Sequence, residues 1–367
     1  MHWNLLRYSC MFALLVALGA SVRAEFAGSE SCKACHANIY TAYMKSGHPY
    51  KLNKITAGPP SYPINTSAGI PHPPAGLKWN DISYVIGGFG WKARFLNQQG
   101  YILTGEGQQY NLLNPSHNKA PHWVAYDGKT PSSKPYTCGE CHVTGWQATG
   151  PKGPHQDNLP GIHGTWKEPG VTCEACHGPS AEHLATPTKV KPTMTENCGH
   201  CHARGEPTTI DASGGLIKHH EQYEDLLASP HKAFSCGTCH NPHQSTRYAM
   251  GGYKGDEDTC KHCHNKVQIK LPSKANMACT SCHMPFAVTS AISSTIAYKG
   301  GTVPKGDLRT HIHRITRDPN WNMFTDDGKF VRLDNDNKAY LTLDYGCLQC
   351  HSDQDMDWAR THAQRIH

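Results

Sequence analysis

Cys32-Lys33-Ala34-Cys35-His36 sets the pattern for the whole chain. The same frame, Cys-x-x-Cys-His, returns at Cys138, Cys141 and His142, at Cys173, Cys176 and His177, and at Cys198, Cys201 and His202. It continues at Cys236, Cys239 and His240, at Cys260, Cys263 and His264, at Cys279, Cys282 and His283, and at Cys347, Cys350 and His351. Of 17 cysteines only Cys10 stands outside these frames. Cys-x-x-Cys-His is the attachment signature of c-type haem. Two thiols add across the two vinyl groups of the porphyrin, and the histidine that follows turns under the iron as its proximal ligand. Disulfides in an exported protein would not place a histidine after every second cysteine. Zinc sites pair two Cys-x-x-Cys units or add spaced histidines, without one fixed adjacent histidine. Eight frames that exhaust the cysteines therefore predict eight covalently attached c-type haems.

Composition agrees with a fold built around something other than side chains. Leu, Ile, Val and Phe make up only 57 of 367 residues, about 16%, a level at which disorder is usually suspected. Disorder also calls for high net charge, and this chain carries +6, with 26 His, 16 Tyr and 8 Trp. Porphyrin faces would supply the missing apolar surface, at about 25 cal/mol per Å² buried. Their propionates would bring the oxidised protein near −4 and the reduced one near −12, taking carboxylates as ionised at neutral pH. The basic sequence is then no argument for nucleic-acid binding, and none is expected. The composition excludes a collagen-like chain and an ordinary Leu/Val-cored enzyme.

Residues 1–24 read as a secretory signal: Arg7 precedes an apolar run from Met11 to Val22, and Val22-Arg23-Ala24 suits cleavage. The run is too short to span a bilayer, and no later one reaches about 18 residues, so no integral membrane span is expected. The expected location is the periplasm or the cell exterior. Four frames precede residue 205 and four follow 235. The small polar run Asp211-Ala212-Ser213-Gly214-Gly215 divides them, giving a tetrahaem module over 25–210 and a second over 211–367.

The fold class expected is mainly α and irregular, with short helices and loops wrapped around a haem chain and one or two small β-hairpins. Helices are expected over 37–46, over 216–229, ending at Pro230, and over 353–366. One hairpin pairs Lys92-Ala93-Arg94-Phe95-Leu96 with Tyr101-Ile102-Leu103-Thr104, and another pairs 330–333 with 340–343. Gly87-Gly88-Phe89-Gly90 lacks a strand–loop–helix context and reads as a bend, not a phosphate cradle.

Each iron needs a sixth ligand or offers an open position. Outside the frames and the signal 17 histidines remain, so all eight irons can be bis-His. The candidate distal ligands are His48, His122, His183, His220, His231, His243, His311 and His367. His48 follows the first helix in Ser46-Gly47-His48, and His231 repeats the Ser-x-His form before a frame. His243 sits three residues after His240 and should serve a neighbouring iron. One of His219 and His220 should ligate. At the C-terminus His367 continues the apolar stripe Met356, Ala359, Ala363 better than His362. His200 and His262 lie inside their own frames and cannot turn under the same iron.

The chain resembles the exported multihaem cytochrome c superfamily, which includes hydroxylamine oxidoreductase, octahaem tetrathionate reductase and extracellular cytochrome filaments. Residues 46–52, Lys134-Pro135-Tyr136-Thr137-Cys138-Gly139 and the run Gly170 to Pro179 resemble its tetrahaem module; Cys-His-Met-Pro at 282–285 resembles the later haems of its reductases. The resemblance implies haems packed in alternating parallel and perpendicular pairs as one electron wire. Nitrite reductases of the group replace one proximal histidine by lysine, whereas all eight frames here end in histidine. Electron relay is the function expected, with no catalytic side chain assigned. Its partners would be redox proteins: a membrane quinol-linked donor and other multihaem cytochromes. A reductase of small nitrogen or sulfur oxyanions is the alternative, and self-assembly into filaments a third reading.

Overall fold

The structure, a computed structural model, describes residues 25–63, 69–114, 117, 119–195, 198–206, 208–219, 221–247, 257–270 and 277–367. The expected signal and His220 lie outside them.

The first half is organised by a six-stranded antiparallel sheet. Its strands are β1 (Leu52–Lys54), β2 (Ile82–Gly87), β3 (Lys92–Asn97), β4 (Ile102–Asn111), β5 (His122–Tyr126) and β6 (Ser132–Lys134). They run β1-β2-β3-β4, with β5 and β6 both on the far edge of β4. Both faces are buried. Val85, Ala93 and Phe95 pack on one side, and Tyr84, Leu96 and Ile102 on the other. Successive side chains of a strand point to opposite faces, so a sheet covered twice needs the continuous apolar run Tyr84-Val85-Ile86. The expected β3–β4 hairpin is present. Asn97 closes it, its Oδ1 accepting from the amides of Gln99 and Tyr101 at 3.0 Å. The glycine run is the β2–β3 bend, where Gly87 takes φ 73° and a Cβ would meet the Lys92 carbonyl oxygen at 2.7 Å. The sheet is larger than one hairpin; β1 and β6, at three residues each, carry little signal alone.

Two small ladders follow the sheet: β7 (Val143–Thr144) pairs with β10 (Glu168–Pro169), and β8 (Gln147–Ala148) with β9 (Gly164–Thr165). In the second half β11 (Ala212–Ser213) turns into β12 (Leu216–Lys218), which lies parallel to β13 (Val288–Thr289). The polar run expected to divide the modules is thus a tight hairpin, and Ile210 beside it belongs to the apolar cluster of the second half. The helix expected over 216–229 is shorter: Leu216 and Ile217 are buried strand residues, and the helix covers only Gln222–Leu227. Short apolar runs do not separate strand from helix by periodicity. The expected hairpin of 330–333 with 340–343 is reduced to its turn, with one bridge at Leu333↔Ala339; Val331 pairs instead with Phe324, and Leu341 with Ile315. An unexpected hairpin joins β14 (Ser294–Tyr298) to β15 (Gly301–Lys305).

The helices are short, as expected: α1 (Ser29–Cys32), α2 (Ala37–Tyr43), α3 (Gly139–His142), α4 (Cys173–His177), α5 (Ala181–Ala185) and α6 (Gly199–His202) come first. Then come α7 (Gln222–Leu227), α8 (Glu257–Cys263), α9 (Thr280–His283) and α10 (Met356–Ala363). No helix among the described residues is long and apolar enough to cross a membrane.

Candidate haem sites

Each frame folds as one helical turn. The amide of the frame histidine donates to the carbonyl of the first cysteine, at 2.9 Å for His36, His202, His240 and His264 and 3.0 Å for His283 and His351. Positions i, i+3 and i+4 share one face of such a turn, so both thiols and the imidazole point the same way. The frames need small residues where a neighbour presses in. A Cβ on Gly139 would lie 2.0 Å from the Trp146 ring, and one on Gly199 2.8 Å from Tyr223. None of the sixteen frame cysteines is joined in a disulfide, so both thiols of every frame are available for attachment.

The frame histidines meet partners from elsewhere in the chain. Ring centres lie 6.4 Å apart for His36–His183, 6.0 Å for His177–His243 and 6.2 Å for His48–His202. They lie 6.1 Å apart for His231–His264, 6.0 Å for His240–His311 and 5.8 Å for His283–His367. With about 2 Å for a metal–imidazole bond and about 1 Å from nitrogen to ring centre, two imidazoles trans across one metal sit about 6 Å apart. The six spacings fit that arrangement. Several rings are also held in the right tautomer. His183 Nδ1 donates to the Val190 carbonyl at 2.7 Å, His283 Nδ1 to the His313 carbonyl at 2.8 Å and His142 Nδ1 to the Lys51 carbonyl at 3.1 Å. A carbonyl can only accept, so Nε2 keeps its lone pair for iron. Burial favours the neutral form of the most deeply placed imidazoles: it lowers His48 and His311 to about 3 and His142 to about 4.

The thiols of different frames lie close enough to perturb one another, and this orders the frames in space. Cys32 neighbours Cys173, Cys176 neighbours Cys198, and Cys198 neighbours Cys236. Cys239 neighbours Cys263, Cys260 neighbours Cys279, and Cys282 neighbours Cys347. In chain order of frames this gives the path 1-3-4-5-6-7-8. The second frame leaves it as a spur, through Cys141 beside Cys201 of the fourth. Large apolar side chains that remain exposed flank the frames: Ile39 at 47%, Leu184 at 52%, Phe234 at 48% and Val267 at 42%. Porphyrin faces would cover them, so the residues present fit the group.

Three family descriptions match parts of the chain. Residues 255–366 match the outer membrane cytochrome MtrC/MtrF-like domains II/IV, 229–269 a doubled CXXCH motif, and 99–178 cytochrome c554 and c-prime. It belongs to the multihaem cytochrome c superfamily. Curated relatives include the dissimilatory sulfite reductase MccA of Wolinella succinogenes, 25% identical over 193 residues, covering 41% of this chain and 27% of that protein. Another is the multiheme cytochrome MtrA of Shewanella baltica, 26% identical over 153 residues, covering 35% of this chain and 41% of the relative. The matched stretch thus spans well under half of either relative. In fold, this multihaem cytochrome is similar to the Wolinella succinogenes octaheme sulfite reductase MccA, with TM-score 0.62 at 17% identity, over 100% of this chain and 70% of that one. It is also similar to the outer cell wall cytochrome OcwA, with TM-score 0.54 at 17% identity, over 92% and 86%.

Two frame histidines of the cytochrome stand apart from the pairs. His351 packs on Trp358, ring centres 4.7 Å apart, and Trp358 in turn stacks on His362 at 4.3 Å. Among the described residues no second imidazole stacks across from His142. Its surroundings are cationic instead: Lys51 and Arg94 both act on its charge. Lys92 lies by Arg94 and Arg204, and burial with the Arg94 charge brings it down to about 7. Arg94 stacks on Tyr126 at 3.8 Å and donates to Gln109 Oε1 at 2.8 Å.

Of the candidate distal ligands, His48, His183, His231, His243, His311 and His367 are each brought opposite a frame histidine. His122 is not: it lies on β5 with Nδ1 on the Ala120 carbonyl at 2.9 Å. His219 lies against the Arg204 guanidinium at 3.2 Å. His200 pairs with Glu140 at 3.1 Å. His313 was not among the candidates. Its ring is 4.6 Å from His231 and 6.0 Å from His311, and its φ of 58° bends it into this cluster. The spacing His311-Ile312-His313 was the available signal.

Proposed function

We propose that this cytochrome relays electrons through eight c-type haems, outside the cytoplasm, between redox partner proteins and chemically unspecific acceptors. The carrying observation is the set of six imidazole pairs at 5.8–6.4 Å, each uniting one frame with one outside histidine. When bound, the haems supply one-electron redox chemistry. The chain's part would be to hold two imidazoles in register at each such site, and to keep neighbouring frames close together from the first to the eighth. A haem held between two of these imidazoles would have no position left for a substrate and would supply electron transfer to partners such as other multihaem cytochromes. Two tetrahaem modules meeting near residue 211 are consistent with the apolar clusters, two drawn from residues before 170 and two from residues after 209. The test is turnover of reduced protein with ferric citrate, nitrite, hydroxylamine and sulfite, with and without cyanide. Cyanide-insensitive reduction of ferric citrate alone supports the relay; saturable, cyanide-sensitive reduction of a small oxyanion displaces it.

The spur favours a second reading, in which the second frame presents an iron with one open position. His142 would be its proximal ligand, and Lys51, Lys92 and Arg94 would attract and orient a small oxyanion. Sulfite is the substrate named for the relative MccA. A high-spin signal in the oxidised protein, lost on adding sulfite or cyanide, would support this; eight low-spin irons would remove it.

A further inference from the structure

The loop 310–313 reaches the sites of three consecutive frames. His311 faces His240 of the fifth frame, ring centres 6.0 Å apart. His313 stands edge-on, at 4.6 Å, to His231, the partner of His264 in the sixth frame. The His313 carbonyl accepts from Nδ1 of His283, in the seventh frame, at 2.8 Å. A bond of that kind to the second ring nitrogen fixes how an imidazole presents itself to a metal. Four residues thus supply one distal imidazole, support a second and orient a proximal one.

One side chain fixes their course. Asp225 Oδ2 accepts from the Thr310 hydroxyl at 2.6 Å and from the His311 amide at 2.9 Å. The same hydroxyl accepts from the Ile312 amide at 3.2 Å, and the Thr310 amide donates to the Pro285 carbonyl at 3.2 Å. Asp225 and Thr310 are both buried. Burying a carboxylate is costly, and a polar pair replaced by apolar groups of the same shape can leave stability nearly unchanged. Hydrogen bonds have a direction that apolar contacts lack, so this pair suits the setting of a loop's conformation. The anchor is itself seated against the fourth frame. It lies on α7, where Gln222 Oε1 accepts from His202 Nδ1 at 3.4 Å and Glu224 Oε1 from the Arg204 amide at 2.7 Å.

We propose that Asp225 is a positioning residue shared by three haem sites: through the loop 310–313 it holds His311 on the fifth iron and aligns an axial imidazole at the sixth and at the seventh. The proposal rests on the reading of these sites as bis-imidazole. Its signature is reach. Loss of His311 removes one ligand from one iron, whereas loss of the acceptor at 225 loosens one ligand and turns two others.

The test uses oxidised holoprotein variants, each first shown by mass to carry the wild-type number of haems. Two readouts are taken: cyanide affinity, since cyanide must displace His311 to reach the fifth iron, and the low-spin electron paramagnetic resonance signals, which report how paired imidazoles are turned. His311→Ala should add one high-spin iron. Asp225→Ala should let one equivalent of cyanide bind at least about tenfold more tightly than in wild type, the worth of one hydrogen bond to a charged acceptor, and should alter three low-spin signals. Asp225→Asn loses the charge but keeps an oxygen for both donors, and should match wild type in both readouts. Thr310→Val keeps the charge but loses one donor, and should tighten cyanide binding about tenfold; it decides the matter if Asp225→Ala does not mature. Wild-type cyanide affinity in Thr310→Val, a change confined to one haem in Asp225→Ala, or an Asp225→Asn protein that behaves like Asp225→Ala overturns the positioning role. A His311→Ala protein with no new high-spin iron removes the bis-imidazole reading of the fifth site instead, and the proposal falls with it.

Discussion

Replacing His48 by Ala tests the relay at its junction. His48 faces His202, ring centres 6.2 Å apart, and the fourth frame is where the spur joins the main path. The change spares the backbone: the His48 carbonyl, which accepts from the amides of Val171 at 3.0 Å and Lys51 at 3.3 Å, stays in place. One of eight irons should become high-spin, with covalent haem content unchanged. Loss of an axial imidazole should raise that haem's potential, since axial ligands set potentials over about 0.8 V. A rise of only about 100 mV, an eighth of that range, makes the next outward step about 2.3 kcal/mol less favourable. That is roughly a 50-fold smaller forward equilibrium constant. Electrons placed on the first and third haems would then wait at the fourth. Stopped-flow oxidation of the reduced variant by ferric citrate should become biphasic, and a spectroelectrochemical titration should show one component displaced upward. An entirely low-spin variant with an unchanged titration would refute both the ligand assignment and the path drawn through it.

Other outcomes follow from the same geometry. Intact mass should exceed the polypeptide by about 8 × 616 Da, the mass of eight thioether-linked haems; a mature sample short of that sinks the count. Deleting His367 should create one high-spin haem, because its ring stands 5.8 Å from His283; an unchanged spectrum would mean the last residue frays, as termini often do. Glu174 accepts from the amides of Ala27 at 2.9 Å, Gly28 at 2.8 Å and Ser180 at 2.7 Å. Glu174→Ala should destabilise the docking of the N-terminal segment by about 3 kcal/mol, at 1.5–3 kcal/mol for a bond to a charged group. Hydrogen exchange at 27–31 should accelerate roughly 100-fold, and no acceleration would show that the carboxylate does not hold the segment.

Much of the site was legible because covalent chemistry constrains it. The frames need two thiols and an imidazole on one helical turn, and five residues suffice to write that down. Distal ligands arrive from remote stretches, so only indirect cues existed. His48, His231 and His243 carried such cues in their local context. His311 and His313 lie in a loop whose course depends on the Asp225 carboxylate, which accepts from the Thr310 hydroxyl at 2.6 Å and the His311 amide at 2.9 Å. No local pattern reports an anchor 86 residues away. The fold was legible where a strand carries its own alternation and turn, as at β3–β4. It was not where strands are two or three residues long, since such segments persist only through tertiary pairing. Residues 216–218 are the case in point: Leu216 and Ile217 fit a helical stripe, and the neighbour Val288 decided for a strand.

The branched order of frames decides how the two functional readings can coexist. In a strictly linear wire an iron open to small ligands would interrupt the path whenever a ligand bound. Here the second frame, whose His142 faces no second imidazole among the described residues, hangs from the fourth frame, and the route from the first frame to the eighth bypasses it. A ligand on the spur would change the potential of one side position only. Cyanide therefore separates the possibilities better than activity alone. If the second frame holds an open iron, cyanide should bind, abolish the high-spin signal and block oxyanion reduction. Ferric citrate should still reoxidise the rest of the chain at its original rate. If cyanide slows both, the open iron lies on the main path, and the order inferred from the neighbouring thiols is wrong. If it binds nowhere, His142 has a second ligand, and the cations around it serve a propionate rather than a substrate.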